Sequence, residues 1–211
     1  MAKESVYRGR YVAIGKLGGP AACYRVASRS FPERRIDLVD KTAQVVPCAG
    51  AAGSDNPFIS YRCFAQLAGD TAVVSNGSQL DQVVSKFRRG LPLRDAMMLA
   101  LLANDFEDDG HATPRILGAI QGQTGFIGSV GTQHIGVISF PLTEGVFMEV
   151  STNNTPAFGT GRLEIASTRK VSARDLADDL AAGKLFVGDP HFVASLVWTP
   201  EAVGIHNRVD E

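Results

Sequence analysis

The spacing of apolar residues changes period along this chain of 211 residues, and that change limits the fold more than any single motif. From residue 7 to about 76 the segments YRGRYVAIG, ACYRVAS, RIDLVD, TAQVVP, PFISYRCFAQLA and DTAVVSN are short and rich in Val, Ile, Tyr and Phe. Gly18-Gly19-Pro20, Pro47 and Asn56-Pro57 punctuate them, as expected of strands, and a first antiparallel sheet is predicted from this stretch. From Ser78 the period is helical. Leu80, Val83, Val84 and Phe87 recur at i, i+3, i+4 and i+7, Ser78 and Asp81 resemble a capping box, and Gly90 stands where a helix stops. A second helix is predicted over LPLRDAMMLALLANDFEDDG, with Pro92 at its first position. Its Ala96–Ala103 run is apolar all round, which calls for cover on most sides. Asn104, Asp105, Glu107, Asp108 and Asp109 crowd its C-terminal end, where the helix dipole disfavours anions and compensating partners are required. The strand pattern then returns in RILGAI, GFIGSV, HIGVISF and GVFMEV, spaced like hairpins with Gly122, Gly125, Gly128 and Gly131 as bulges or turns. A final helix, SARDLADDLAAGK, and a mixed tail beginning FVGDPHFVASLVW close the chain.

Strands, two helices, strands and a helix predict an α+β fold: a four-layer αββα sandwich, with two mainly antiparallel sheets face to face and helices outside. With 45% hydrophobic residues, residues 1–211 can share one core as a single domain. No internal repeat is visible.

Several function classes fall away on charge and spacing. A net charge of -1 and a pI near 6.4 do not supply the broad basic field of a nucleic-acid coat or a membrane-surface helix. No run of about 18 apolar residues occurs, and Met1-Ala2-Lys3-Glu4-Ser5-Val6 lacks the pattern of a signal peptide, so a cytoplasmic protein is expected. Cys23, Cys48 and Cys63 are odd in number and widely spaced, which predicts reduced thiols and no zinc site. GxGxxG, GxxxxGK[ST], GxSxG and HExxH are all missing, and His111, His134, His191 and His206 stand apart; no metal site is expected.

What remains is a charge cluster and three polar islands. YRVASRSFPERR places Arg25, Arg29, Arg34 and Arg35 within twelve positions. If the segment is a strand, Arg25 and Arg29 share a face about 13 Å apart and could hold an anion at two points through forked hydrogen bonds. The same spacing fits a solvent-facing edge strand whose charges discourage aggregation. Ser75-Asn76-Gly77-Ser78 joins a buried-looking strand to a helix start, an anion or amide site or simply a cap and turn. Tyr61 is in register with Ile59 and Cys63, as a core tyrosine or an aimed hydroxyl. Glu107 ends the covered helix as a working carboxylate or a surface acid.

Taken together, YRGRYVAIG, YRVASRSFP, NPFISYRCF, GDTAVVSNGS, LRDAMMLALLANDFE and TPRI resemble, in order and spacing, the archaeal-type IMP cyclohydrolases. The resemblance is strong over residues 7 to about 120 and rests on strand pattern alone beyond. It implies an Ntn-hydrolase-like αββα fold and closure of the purine ring of FAICAR (5-formamidoimidazole-4-carboxamide ribotide) to IMP and water, without cofactor or metal. It further implies Arg29 and Tyr61 as donors to the formyl oxygen, with Tyr61 also an acid for the departing water, and Glu107 as base. Asn76 would fix the base edge or ribose, and Arg25, Ser28 and the Ser78 helix start would hold phosphate or neighbouring groups. Arg34, Arg35, Arg115 and His191 receive no role. The partners implied are the purine ribotide and identical subunits, a tetramer among the candidate assemblies, with no nucleic acid and no membrane. Two rivals are a nucleotide-binding regulatory module and an Ntn-type amide hydrolase. Ala2 offers the latter no nucleophile unless cleavage exposes Ser5 or Cys23.

Overall fold

Alternate side chains of the first two strands enter different cores, and that alternation sets the layers. In β1 (Tyr11–Lys16) and β2 (Pro20–Ala27), Val12, Ile14, Ala22, Tyr24 and Val26 face one apolar cluster while Tyr11, Ala13, Ala21 and Cys23 face another. The computed structural model describes residues 7–50, 59–107, 110–153, 161–165, 171–184 and 186–210. The Asn56-Pro57 turn, Ser5, Asp108 and Asp109 lie outside the described residues.

The remaining elements are β3 (Arg34–Val39), β4 (Thr42–Pro47), β5 (Tyr61–Gln66), β6 (Thr71–Ser75), α1 (Gln79–Arg88), α2 (Leu93–Asn104), β7 (Arg115–Gln121), β8 (Thr124–Gly131), β9 (His134–Pro141), β10 (Val146–Ser151), β11 (Gly161–Glu164), α3 (Ala173–Ala182), β12 (Phe192–Trp198) and β13 (Val203–Asn207). A seven-stranded sheet runs β3-β4-β5-β6-β7-β8-β9 in chain order, and a six-stranded sheet runs β11-β10-β1-β2-β12-β13. All pairings between named strands are antiparallel, including β6 with β7 across the two-helix insertion. The inner core between the sheets holds Ile14, Tyr24, Val45, Tyr61, Val74, Ile116, Leu196 and Trp198. Helices α1 and α2 cover the outer face of the seven-stranded sheet, and α3 covers that of the six-stranded sheet. The result is the αββα sandwich expected from the change of period.

Local expectations fared unevenly. Residues 7–76 do not form one sheet: β1 and β2 belong to the six-stranded sheet and β3 to β6 to the other, because the chain crosses between sheets in the Ser28–Glu33 connection. β9 and β10 are not a hairpin; β10 pairs with β1. Gly122 makes a turn with φ +59°, but Gly125 and Gly128 sit in an unbroken ladder, where a Cβ on Gly125 would lie 2.6 Å from the Phe140 ring. Helix α2, expected to be covered on most sides, leaves Leu99 and Leu102 exposed. The Ser78–Asp81 capping box does not form either. Ser78 is helical at φ -61° with no side-chain cap bond, and Asp81 pairs with Arg62 at 2.7 Å. A side-chain N-cap forms instead at α3, where Ser172 Oγ accepts from Asp175 N and donates to its carboxylate.

Candidate active site

Antiparallel order brings the starts of β1, β3, β5 and β7 and the ends of β2 and β6 to one rim of the sandwich. The polar residues of interest sit at those strand ends. Arg10 precedes β1, Ser28 and Arg29 follow β2, and Asn76 follows β6; Arg34, Tyr61 and Arg115 open β3, β5 and β7. A cleft of about 700 Å³ opens there, lined by Tyr7, Arg10, Ser28, Arg29, Ser30, Phe31, His111, Thr113, Thr152 and Asn153.

Glu107 stands beneath it, only 2% exposed. Helix α2 stops in a backbone turn that few side chains adopt: Asp105 has φ +54°, and Ala112 beyond the loop has φ +51°. Such conformations cost about 1–3 kcal/mol each and persist only where the surroundings enforce them. Here the Glu107 N–H donates to Thr113 O at 2.8 Å, closing the loop. The carboxylate thereby reaches Arg10 Nη2 at 3.2 Å, Asn76 Nδ2 at 3.4 Å and Arg115 Nη1 at 3.8 Å. These are the partners that acids at the end of a helix require.

Arg10 has a second neighbour. Tyr61 interacts with its guanidinium: burial opposes the Arg10 charge, but Tyr61, Glu107 and Tyr24 outweigh that and raise its pKa above the ordinary arginine value. The Tyr61 hydroxyl is 2.8 Å from that of Tyr24. Burial first, and Tyr61 second, push the Tyr24 hydroxyl well above its usual range, so it stays protonated. Arg34, 1% exposed, also interacts with Tyr61 and donates Nε to Phe31 O at 2.9 Å. Tyr24, Tyr61, Arg10 and Glu107 thus form one buried chain of polar contacts.

Of the residues singled out from sequence, Tyr61 and Glu107 join this chain through Arg10, and Ser28 and Arg29 line the cleft above it. Ser28 Oγ accepts from Phe31 N at 3.1 Å. Arg29 is exposed at the mouth with its guanidinium 4.2 Å above the Tyr7 ring, while Arg10 and Arg34 interact with Tyr61. Asn76 does not present its amide to the cleft. Its oxygen accepts from Ile116 N and Gln79 Nε2, both at 2.8 Å, and its nitrogen donates to Pro114 O and Glu107. It therefore anchors the carboxylate. A side chain on Gly77 beside it would displace the ends of Arg115 and Gln79, since a Cβ would lie 2.7 Å from Arg115 Nη1 and 2.8 Å from Gln79 Oε1.

Two expected ligands lie elsewhere. Arg25 and Arg29 are not a pair on one strand face, because β2 ends at Ala27 and the chain turns away. Arg25 faces the α3 layer, fully buried, donating to Leu180 O and Val187 O and stacked 4.9 Å from the Tyr11 ring. Ser78 is exposed, its hydroxyl turned to Asn104 Oδ1 at 3.3 Å. Arg35 pairs with Asp37 on exposed β3. His191 packs edge-on against Tyr7 at the cleft's border. The sequence reading missed Arg10, Tyr24 and Gln79 as site residues. A signal existed for the first: Arg10 is in step with Val12 and Ile14, a charge on a core-facing strand register.

A profile described as IMP cyclohydrolase-like protein matches residues 7–189, every element from β1 to α3 and every residue of the buried chain. The chain belongs to the IMP cyclohydrolase-like family. Relatives named IMP cyclohydrolase include one from Methanocella arvoryzae, 35% identical over 193 residues, covering 89% of this chain and 96% of the relative. One from Haloquadratum walsbyi is 39% identical over 151 residues, covering 72% and 74%. A third, from Methanosphaera stadtmanae, is 38% identical over 155 residues, covering 72% and 76%. Among the described residues of this family member no helix is long and apolar enough to cross a membrane, and no cluster of three or more His, Cys, Asp or Glu could hold a metal ion.

Proposed function

We propose that the protein closes the purine ring, converting FAICAR to IMP and water, the final step of de novo purine synthesis. The observation that carries this is the meeting of a buried carboxylate, Glu107, and a tyrosine hydroxyl, Tyr61, on one guanidinium, Arg10, beside a cleft. The reaction needs those groups. A carboxamide nitrogen is a poor nucleophile and a formamide carbon a poor electrophile, so the two arms must be held together, a proton taken from nitrogen and charge on the formyl oxygen neutralised.

In the addition step the carboxamide nitrogen bonds to the formyl carbon, its proton passes to Glu107, and the formyl oxygen takes the proton of Tyr61. In the elimination the C–O bond breaks. The oxygen leaves as water with the proton of Glu107, the formamido N–H pair becomes the ring C=N bond, and its proton restores Tyr61. No atom changes oxidation state overall, and the chemistry calls for no redox cofactor. Arg29, with Ser28 and Ser30 at the mouth, binds the phosphate. Asn76 and Gln79 keep Glu107 and Arg115 in place. The enzyme works in the cytoplasm, and as an assembly of identical subunits, the latter supported by the exposed Leu99 and Leu102 on α2.

The test is FAICAR cyclisation followed by ultraviolet absorbance. The wild-type protein should form IMP far above the uncatalysed rate, and Tyr61→Phe should lower kcat about a hundredfold or more with the circular dichroism spectrum unchanged. Binding without turnover, or release of formate, would overturn the reading.

A further inference from the structure

The proposed ring closure moves a negative charge from Glu107 to Tyr61 and back, and one side chain touches both. Arg10 Nη2 lies 3.2 Å from Glu107 Oε2, and the same guanidinium interacts with Tyr61, whose hydroxyl is 2.8 Å from that of Tyr24. Resting on that reading of the reaction, we infer that Arg10 is the common counter-ion of the base and the acid, with Tyr24 as a second donor to the Tyr61 oxygen.

In the resting enzyme Arg10 pairs with the Glu107 carboxylate. Once the new C–N bond has formed, Glu107 carries the carboxamide proton and Tyr61 has given its own to the formyl oxygen. The ion pair then runs from Arg10 to the phenolate, and Tyr24 donates to that oxygen across 2.8 Å. Elimination returns one proton to Tyr61 and removes one from Glu107, so the pair swings back. Arg10 itself neither gains nor loses a proton. An arginine suits the duty because it stays charged, and because its planar fork presents N–H groups to two acceptors at once. Sharing one cation keeps the site's moving negative charge paired at each stage of the proton transfers, where an unpaired anion would be costly. Each end also has a cation of its own. Arg34 interacts with Tyr61, and Arg115 lies 3.8 Å from Glu107, with Asn76 Nδ2 at 3.4 Å. Arg10 bears on both.

The experiment is kcat and KM against pH for the wild type, Arg10→Gln, Arg10→Lys and Tyr24→Phe, with tyrosinate absorbance titrated in parallel. Removing a cation raises the pKa of every anion it faced. Arg10→Gln should therefore lower kcat about a hundredfold, leave KM within about threefold, and move both limbs of the kcat profile upward by about one pH unit. Arg10→Lys should return both limbs toward the wild-type positions. Tyr24→Phe should raise the alkaline limb alone. A rate loss in Arg10→Gln with both limbs unmoved, or an Arg10→Lys profile no nearer the wild type, overturns the inference. If Arg10→Gln does not fold, the Lys and Tyr24→Phe profiles decide. If the wild type does not turn over FAICAR, it is the functional reading that fails. The absorbance difference between wild type and Tyr61→Phe then isolates the Tyr61 ionisation, which must rise in the Arg10 variant; an unmoved value overturns the shared counter-ion independently of activity.

Discussion

Two largely buried clusters of arginine, tyrosine and glutamate are built on opposite faces of β1 and β2, and they differ in what covers them. The inner one, Arg10, Tyr24, Tyr61 and Glu107, lies beside the cleft between the sheets. In the outer one Tyr11 and Arg8 hold the two oxygens of Glu149, Arg8 at 2.8 Å, while Arg25 stacks on Tyr11 and bonds the backbone at Leu180 and Val187. Burial first, then the Glu149 charge, keep Tyr11 well above the usual tyrosine range and hence a donor, whereas burial lowers Arg25. Helix α3 and Phe186 close this cluster from outside. Perturbed ionisation and ion pairing are common to both, so neither marks a site by itself. What separates them is that Arg10 of the inner cluster lines the cleft, which puts Glu107 one contact from it, whereas Glu149 ties Arg8 and Tyr11 to β10 and no residue of the outer cluster lines that cleft.

The sharpest way to break the comparison is to neutralise each carboxylate without changing its shape. Glu107→Gln should cut kcat by about a thousandfold with the fold kept. Glu149→Gln should leave kcat within about twofold and lower stability by about 2 kcal/mol, roughly 5 °C in Tm. Cyclisation assays and thermal melts check both; an activity loss in Glu149→Gln matching that of Glu107→Gln would erase the distinction.

A smaller effect is expected at Arg25. Its Nε and Nη2 are buried without hydrogen-bond partners, so an apolar side chain of similar length gives up little. Arg25→Met should change stability by no more than about 1–2 kcal/mol and leave KM for FAICAR unaltered, read from denaturant unfolding and initial rates. A tenfold rise in KM would place Arg25 on the substrate after all.

The smallest concerns the roof of the outer cluster. Partial burial opposes the Asp178 charge, but the bond from His206 at 2.7 Å and the nearby Arg174 outweigh it and hold its pKa below the usual aspartate value. A group lowered in this way stabilises the fold above its unfolded pKa of about 3.9 and loses that contribution as pH falls through the folded value. Asp178→Asn should therefore lie below the wild type by at most about 0.5 kcal/mol at neutral pH, with the gap closing in acid. A gap that persists in thermal melts at low pH would assign it to packing.

The site residues show which parts of the molecule could be read in advance. Tyr61 and Glu107 stand in segments whose resemblance to a known family is carried by local sequence. Arg10 and Tyr24 stand in such segments too, YRGRYVAIG and YRVASRSFP, but what makes Arg10 a site residue is a carboxylate 97 residues away. Arg25 and Ser78 were misplaced for a related reason: periodicity assigns a residue to a face but is silent on whether that face meets a cleft, a helix or water.

The layers follow from sequence alone, because a period of two or 3.6 is a local property and the four-layer sandwich is the arrangement that buries those faces. Tertiary structure alone decided which sheet β1 and β2 enter and which strand ends gather at the rim. It also decided which of two similar charge clusters faces a cleft. Strand pairing joins residues far apart in the chain, and many partners satisfy one local alternation.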